Sequence, residues 1–261
     1  MRVLIFLLLL SPPLFARDSA PQWELVFNED FSQPSALDSW KLDGAAKVSI
    51  TPDGMLLIET VEKEINGEKT HCSVLWYSQP FRGDLRFVFD GKAEPSSRCI
   101  FFFNAQPRRH ESIFDWSRPL ARYGDYAWDD RIELYTLGIL RSDQTIVNLR
   151  HLGDALIERW KKLDTLPKRH PERKRIYREF QEKTILASYT SPFGDPDKVY
   201  HFDLRVVGNR ISLAVDGRQM FDIVDSERAG KPLRGGYFGF RNFKPTRAWY
   251  DNLRVYKLIK D

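Results

Sequence analysis

The stretch HFDLRVVGNRISLAVDGR, residues 201–218, decides the fold class of this chain. Apolar and polar side chains alternate on both sides of Gly208-Asn209, which is typical of two half-buried strands joined by a two-residue turn. Asp216-Gly217 is a second turn signal and leads into a further strand. The stretch therefore predicts an antiparallel hairpin that continues into a third strand.

Short strand patterns of the same kind occur at both ends of the chain. They cover residues 23–27, 47–50, 55–60, 73–77 and 85–90, and later residues 235–241 and 248–256. Residues 98–104 are apolar at consecutive positions, which indicates a strand buried on both faces. Because no strand–helix–strand alternation separates these runs, we expect an all-β fold, a sandwich of two antiparallel sheets.

One segment, residues 152–187, interrupts the strand pattern. Its first half repeats apolar residues at helical spacing, and a second helix is expected from 172 to 183. The segment predicts a short basic helical insertion, which either attracts a polyanion or is a solvated face. Its basic residues are Arg159, Lys161, Lys162, Lys168, Arg169, Arg173, Lys174, Arg175 and Arg178.

The N-terminus predicts export. Arg2 precedes an apolar run over residues 3–10, Pro12-Pro13 ends the run, and Ala16 offers a small residue for cleavage. The run is about half of the roughly 20 residues that a membrane span requires. We therefore expect residues 1–16 to be a signal peptide and residues 17–261 to be one sandwich domain without a membrane span. The mature protein would be secreted or periplasmic, where nucleic acid is not the expected partner.

The composition fits a packed domain and leaves the state of the cysteines open. Hydrophobic residues make up 42% and aromatic residues 13% of the chain, which excludes disorder for most of it, and the net charge of +4 is small. Cys72 and Cys99 could form one disulfide or remain two buried thiols. The histidines lack ligand spacing, so we expect no cofactor. Residues 28–30 either bind a structural Ca²⁺ ion or form an ordinary turn.

Longer motifs resemble a known family. The hairpin of residues 201–218, GGYFGFRNF at 235–243 and YDNLRVY at 250–256 resemble the closing strands of concanavalin A-like lectin/glucanase sandwiches. In the middle of the chain, CIFFFNAQ at 99–106, IFDWSRPLARYGDY at 113–126 and DRIELYTLGILR at 130–141 are similar to the YesU-like family of bacterial proteins of that jelly-roll fold. The basic insertion looks longer than in that family, and the chain lacks a histidine that relatives carry near Thr136.

The resemblance implies a role in carbohydrate use, since similar proteins occur among systems that degrade pectin and other acidic polysaccharides. It also implies a set of shared positions. These are Phe114, Asp115, Arg122, Gly124, Tyr126, Asp130, Arg141, Asn148, Leu149, Arg150, Phe240 and Arg241.

Two kinds of sugar chemistry can be compared with these residues. Glycoside hydrolysis needs two carboxylates about 5–9.5 Å apart, whereas Asp130 and Glu133 point to opposite faces of an extended strand. Elimination beside a uronate carboxylate needs a cation, a base and an acid. We expect catalytic roles for Tyr126, His110, Asp130 and Tyr135. We expect substrate-binding roles for Arg122, Arg141, Asn148, Arg150, Arg241, Asn104 and Asp115.

Three function classes remain open from the sequence. The preferred one is a secreted enzyme that acts by elimination on uronic-acid-containing glycans, as a polysaccharide lyase or an oligosaccharide dehydratase. A glycoside hydrolase of the same fold would rely on Asp115, Asp130 or Glu133. A non-catalytic, lectin-like protein would present Trp116, Tyr123 and Trp128 as stacking surfaces for sugar rings.

Overall fold

The structure of the protein is a computed structural model. It describes residues 21–65, 68–70, 72–108, 112–114, 132–142, 144–153, 165–167, 169–243 and 246–259. The predicted signal peptide and the first predicted helix of the insertion lie outside these residues. Among the described residues, no helix combines the length and the apolar character that a membrane crossing requires.

Strands dominate the described chain. In chain order they are β1 (Trp23–Glu29), β2 (Trp40–Gly44), β3 (Ala46–Ile50), β4 (Leu56–Thr60), β5 (Lys63–Ile65), β6 (Glu68–Thr70), β7 (Cys72–Tyr77), β8 (Leu85–Ala93), β9 (Arg98–Pro107), β10 (Ile132–Ile139), β11 (Ile146–Leu152), β12 (Ile185–Thr190), β13 (Tyr200–Val207), β14 (Arg210–Val215), β15 (Arg218–Val224), β16 (Tyr237–Phe243) and β17 (Arg247–Leu258). A short 3₁₀ helix (Pro34–Ser39) precedes β2, and the helix α1 (Pro171–Thr184) precedes β12.

Two antiparallel sheets form the sandwich that the sequence predicts. Within the described residues, sheet I has the strand order β15-β14-β13-β8-β17-β4-β3, and β1 pairs with the C-terminal half of β17. Sheet II has the order β12-β11-β10-β9-β16-β7-β2. Among the strands that the structure describes, β5 and β6 pair only with each other. The all-β sandwich class is thereby confirmed.

The hairpin of residues 201–218 forms in the predicted register. Val207 pairs with Arg210, so Gly208 and Asn209 are the two turn residues. The next turn has positive φ at both central residues, 52° at Asp216 and 76° at Gly217. Asp-Gly suits this type I′ geometry, whose twist matches that of the flanking strands.

An aromatic core fills the space between the sheets. The ring of Phe89 on sheet I lies 4.7 Å from that of Phe202 and 4.9 Å from that of Phe101 on sheet II. Phe240 of sheet II stacks on Tyr250 of sheet I at 3.9 Å between centroids. These five side chains are fully buried, and such large apolar areas supply most of the stabilising burial.

Sheet II is also buried on its outer face, the face turned away from sheet I. Trp76 and Phe102 there are fully buried in a second apolar cluster, which includes Ile176 and Phe180 of α1. Phe101 on the same strand as Phe102 faces the core between the sheets, so the prediction of a strand buried on both faces is confirmed.

The second predicted helix of the insertion is present as α1, close to the predicted bounds of 172–183. His170 caps its start by accepting a hydrogen bond from the backbone N–H of Glu172 at 3.2 Å. Ile176, Phe180 and Thr184, spaced by four residues, are the buried side chains of the helix. Residues 185–187, which the sequence groups with the insertion, form the start of the edge strand β12.

The two cysteines are free and buried. Cys72 on β7 pairs with Phe243, and Cys99 on β9 pairs with Asn242, so β16 lies between the two cysteines. Two strand spacings amount to about 9–10 Å, beyond the ~7 Å that a disulfide can bridge. Of the two alternatives that the sequence leaves open, the structure shows the free thiols.

Candidate functional site

The outer face of sheet II carries basic and polar residues that the sequence singles out. On β11, Leu149 faces the core between the sheets, so alternation turns Asn148 and Arg150 outward. On β16, Phe240 faces the core and Arg241 therefore lies on the outer face. Three of the predicted substrate-binding residues thus share one surface.

The strand register sets the spacing of the two arginines. Arg150 pairs with Thr136, Thr136 with Phe102, and Phe102 with Gly239. Arg241 lies two residues beyond Gly239 on the same strand. Since neighbouring strands are ~4.8 Å apart, the backbones of Arg150 and Arg241 are three such spacings apart across the sheet and two residues apart along the strands. The two side chains border the patch formed by Thr136 and Phe102.

Arg150 is a half-buried cation held beneath α1. Its Nη1 donates to Thr184 Oγ1 at 3.0 Å, and its guanidinium carbon lies 5.9 Å from the ring centre of Phe180. Burial lowers the pKa of the guanidinium, and the nearby hydroxyl of Tyr177 opposes this shift. No carboxylate in the described part of the chain forms an ion pair with it. The positive charge is therefore available to an anion or a developing oxyanion.

Arg241 is held against aromatic rings and a thiol. Its Nε donates to Cys72 Sγ at 3.3 Å. Its guanidinium carbon lies 5.9 Å from the ring centre of Phe102 and 5.3 Å from that of Phe243. Such contacts fix the planar group in orientation.

Arg141 and Asn148 lie near a glycine that sequence reasoning overlooked. A Cβ at Gly138 would lie 3.4 Å from Arg141 Cδ and 2.4 Å from Val147 Cγ1, so only glycine leaves this space. Asn148 Oδ1 accepts a hydrogen bond from Ser188 Oγ at 2.7 Å. The sequence does contain a signal for this feature, because a glycine such as Gly138 inside a strand pattern often marks a place where neighbouring groups come close to the backbone.

Tyr135 and Asn104 lie in the interior instead of on the outer face. Tyr135 is 1% exposed, and its hydroxyl donates to Asp225 Oδ2 at 2.7 Å and accepts from the N–H of Leu233 at 3.1 Å. Asn104 Nδ2 donates to the carbonyl of Leu233 at 2.8 Å. Burial, followed by the charge of Asp225, raises the pKa of Tyr135 far above its ordinary value. Both side chains therefore hold the loop of residues 225–236 against sheet II.

His151 joins this interior network and was not among the predicted site residues. Its ring is fully buried, and its Nδ1 lies 2.9 Å from Asp225 Oδ2. The chain comes close to the loop at the same place, because a Cβ on Gly153 would lie 2.3 Å from the carbonyl oxygen of Ala229. No local sequence signal links His151 to Asp225, since His151 lies on β11 and Asp225 lies in the distant loop that follows β15.

The remaining predicted site residues lie outside the described residues. These are Tyr126, His110, Asp130, Arg122 and Asp115. Their roles stay predictions from the sequence and from the resemblance.

Carboxylates are scarce on the central strands of sheet II. Glu133 is the only Asp or Glu in β9, β10, β11 and β16, all of which the structure describes in full. It lies 3.5 Å from Arg108 in an ion pair. These strands therefore lack the two facing carboxylates that glycoside hydrolysis requires.

Residues 28–30, which the sequence predicts to be either a Ca²⁺ site or an ordinary turn, lie beside hydrogen bonds that are typical of turns. Glu29 Oε1 accepts from the N–H of Phe31 and Asp30 Oδ1 from the N–H of Ser32, both at 3.0 Å. Among the described residues, no group of three His, Cys, Asp or Glu side chains is placed to hold a metal ion.

Comparisons with known proteins bear on both the family and the fold. The model of a family described as a 3-keto-alpha-glucoside-1,2-lyase-like domain matches residues 22–256. No curated protein matches the chain. The narrower YesU-like assignment, which rests on motifs in the middle of the chain, stays a prediction.

Solved structures share the sandwich. A Bacillus subtilis protein of unknown function with a galectin-like fold is 18% identical, with a TM-score of 0.70, covering 92% of this chain and 100% of that one. The laminarinase of Rhodothermus marinus is 12% identical, with a TM-score of 0.56, covering 93% and 100%. SCLam, a non-specific endo-β-1,3(4)-glucanase of family GH16, is also 12% identical, with a TM-score of 0.56, covering 92% and 94%. At these identities the likeness shows the fold alone and confirms the predicted jelly roll.

Proposed function

We propose, from the premise that this chain belongs to the 3-keto-alpha-glucoside-1,2-lyase-like domain family, that it is a carbon–oxygen lyase acting on glycosides. The chain is a carbohydrate-active domain on a glucanase- and lectin-like sandwich. Within that class, elimination is the reaction that its described side chains support best.

The family description specifies a bond and an activating group. A carbonyl at C3 of a glucoside acidifies the proton on C2, and a base removes this proton. The negative charge passes to the C3 oxygen as an enolate. The electron pair then forms the C1=C2 double bond while the C1–O bond breaks, and the departing oxygen takes up a proton. Such a site needs a fixed positive charge close to the enolate oxygen.

Arg150 is the observation that carries this proposal. It offers a half-buried guanidinium with no carboxylate partner among the described residues, on the same face as Asn148 and Arg241. A cation in a partly water-excluded place stabilises an oxyanion more strongly than one in bulk water. By contrast, the sole carboxylate of the central strands, Glu133, is already paired with Arg108.

A uronate substrate is a second form of the same reaction. There the C6 carboxylate acidifies the proton on C5, and the oxygen on C4 departs. The basic residues of the insertion favour this form, because a positive field concentrates an acidic polysaccharide or oligosaccharide. With residues 1–16 as a signal peptide, the enzyme would meet this substrate as a secreted or periplasmic protein.

The candidates for the proton-transferring residues are predicted from the sequence. Tyr126 and His110, with Asp130 as a further candidate, would serve as base and acid, and Arg122 and Asp115 would add contacts to the substrate. Tyr126→Phe and Arg122→Ala are expected to abolish turnover without unfolding the protein.

The test compares a 3-keto-α-glucoside with oligogalacturonates in D₂O. Ultraviolet absorbance follows the new conjugated double bond, a reducing-end assay follows bond cleavage, and mass spectrometry follows deuterium in the products. Cleavage with absorbance, or with deuterium at C2 after water adds to the double bond, supports elimination and shows which substrate is used. Cleavage without either signal means hydrolysis and overturns the proposal, as does binding of both substrates without cleavage.

A further inference from the structure

The solvent side of α1 combines cations with an aromatic ring. Tyr177 and Arg178 lie three and four residues after Lys174, which makes both of them neighbours of Lys174 on one helix face. All three are exposed, and Tyr177 is 49% exposed although it is a large aromatic residue. The opposite side of the helix, at Ile176 and Phe180, packs onto sheet II.

The positive charges of Lys174 and Arg178 are not neutralised by any ion pair in the part of the chain that the structure describes. Arg175 donates to Glu172 at 2.9 Å in an ion pair one turn away. Neither Lys174 nor Arg178 has an ion-pair partner among the described residues. Two free cations beside an exposed ring suit a ligand that has negative charges and apolar ring faces.

The face adjoins the candidate site. Phe180 and Thr184, on the buried side of α1, contact Arg150. Tyr177, at the edge of the exposed face, is also close enough to act on the pKa of the Arg150 guanidinium. A chain bound at Tyr177 would therefore lie near that cation. Oligosaccharides meet both chemical requirements, because sugar rings stack on aromatic side chains and uronates carry carboxylates.

We propose that Lys174, Tyr177 and Arg178 form a binding site for an anionic polysaccharide, which holds the chain next to the Arg150 region. The two cations bind carboxylates and Tyr177 stacks on a sugar ring. This assignment rests on the proposed function in its choice of a glycan, and it specifies the charge class of the substrate.

The experiment is affinity electrophoresis of the full mature chain in gels that contain polygalacturonate or, for comparison, neutral laminarin. The double variant Lys174→Ala/Arg178→Ala is expected to bind polygalacturonate about tenfold more weakly, as the loss of two partly screened ion pairs implies. Tyr177→Ala weakens binding several-fold, and Tyr177→Phe restores it because the ring remains. Retention of the wild type falls as salt rises.

The matched control is Arg218→Ala/Lys231→Ala, which removes two exposed positive charges elsewhere on the molecule. It should change binding less than twofold. Equal losses in both double variants would show a general charge effect on a solvated helix face and overturn the site, as would equal retention in laminarin.

Binding is read without turnover, so the two proposals can fail separately. Absence of elimination products together with a clear contrast between the two double variants would reject the proposed reaction and keep this site. Elimination activity without that contrast would reject the site and keep the reaction.

Discussion

The Arg150 guanidinium is the residue on which the proposed chemistry depends. In Arg150→Met the aliphatic stem still packs under Phe180, while the positive charge and the bond to Thr184 Oγ1 are lost. We expect turnover to fall by about 100-fold or more, as for removal of one oxyanion donor, which corresponds to ~3 kcal/mol in the transition state. Stability should change by no more than about 1 kcal/mol, since a single partly buried hydrogen bond is lost.

Initial rates and urea unfolding together check this prediction. Arg210→Met is the matched control, because Arg210 pairs with Asp222 at 2.7 Å on an exposed part of sheet I. Its turnover should equal that of the wild type. Full activity in Arg150→Met would remove the cation from the mechanism.

The substitution Tyr135→Phe tests whether this predicted catalytic residue has a structural role instead. Its hydroxyl bonds Asp225 and the N–H of Leu233 inside the protein. Tyr135→Phe leaves both groups buried without this partner, so we expect the free energy of unfolding to drop by ~1–3 kcal/mol. Turnover per folded molecule should remain, because the hydroxyl is out of reach of a substrate. An unchanged unfolding curve with abolished turnover would instead restore its catalytic role.

At the scale of elements, the loop of residues 225–236 leads from sheet I to sheet II. The Asp225 carboxylate at its start contacts Tyr135 and His151 of sheet II. Burial tends to raise the pKa of Asp225, but the contacts with His151, the hydroxyl of Tyr135 and the N–H of Glu227 outweigh it and hold the pKa below its ordinary value. A depressed pKa stabilises the fold fully above the unfolded value, and this contribution is lost as the pH falls through the folded value. The loop should therefore loosen in acid, below about pH 4.

Asp225→Asn isolates this contribution. At neutral pH the variant should be less stable than the wild type. The difference should shrink as the pH falls below about 4, because Asp225 of the unfolded chain takes up a proton there, and it should be lost as the pH passes through the lower pKa of the folded state. Urea unfolding at several pH values measures the difference. Asp222→Asn is the control, because Asp222 also has a lowered pKa but forms an exposed pair with Arg210. A difference that stays constant down to pH 3 would contradict the assignment.

Elements with a local pattern could be predicted from the sequence, and contacts across the fold could not. The hairpin of residues 201–218 and the helix over 172–183 depend on turn residues and periodicity, which lie within a few residues of each other. For Tyr135 the sequence predicts a catalytic role and for Asn104 a substrate-binding role, because a sequence does not show which loop a side chain meets. Only the packing of residues 225–236 onto sheet II makes both of them interior partners of Leu233.

The site was partly predictable for a similar reason. Asn148 and Arg150 share a face because they are two residues apart on one strand, and this spacing can be read from the sequence. Arg241 joins that face only through the order of the strands in sheet II, which places β16 beside β9. The covering of Arg150 by α1 depends on where the insertion folds back, and no residue pattern specifies that position.

At the scale of the whole molecule, both sheets are stabilised by burial without a covalent crosslink between the two cysteines. Cys72 and Cys99 are fully buried and lie on strands separated by β16. Burial raises the pKa of the Cys99 thiol to about 12, so its reactive thiolate is scarce at neutral pH. The fold should thus be indifferent to the redox state of its surroundings, although export would take it to an oxidising compartment.

Thiol counting checks this prediction. A thiol reagent should label neither cysteine in the native protein and both after unfolding in denaturant without a reductant. The melting temperature should be the same with and without dithiothreitol, because no bond is available for reduction. A Cys72→Ala variant is the reference, and it should show a single thiol on unfolding. Two thiols that become reactive only after reduction would mean that β7 and β9 come closer than this strand order allows, and the order of sheet II would have to be revised.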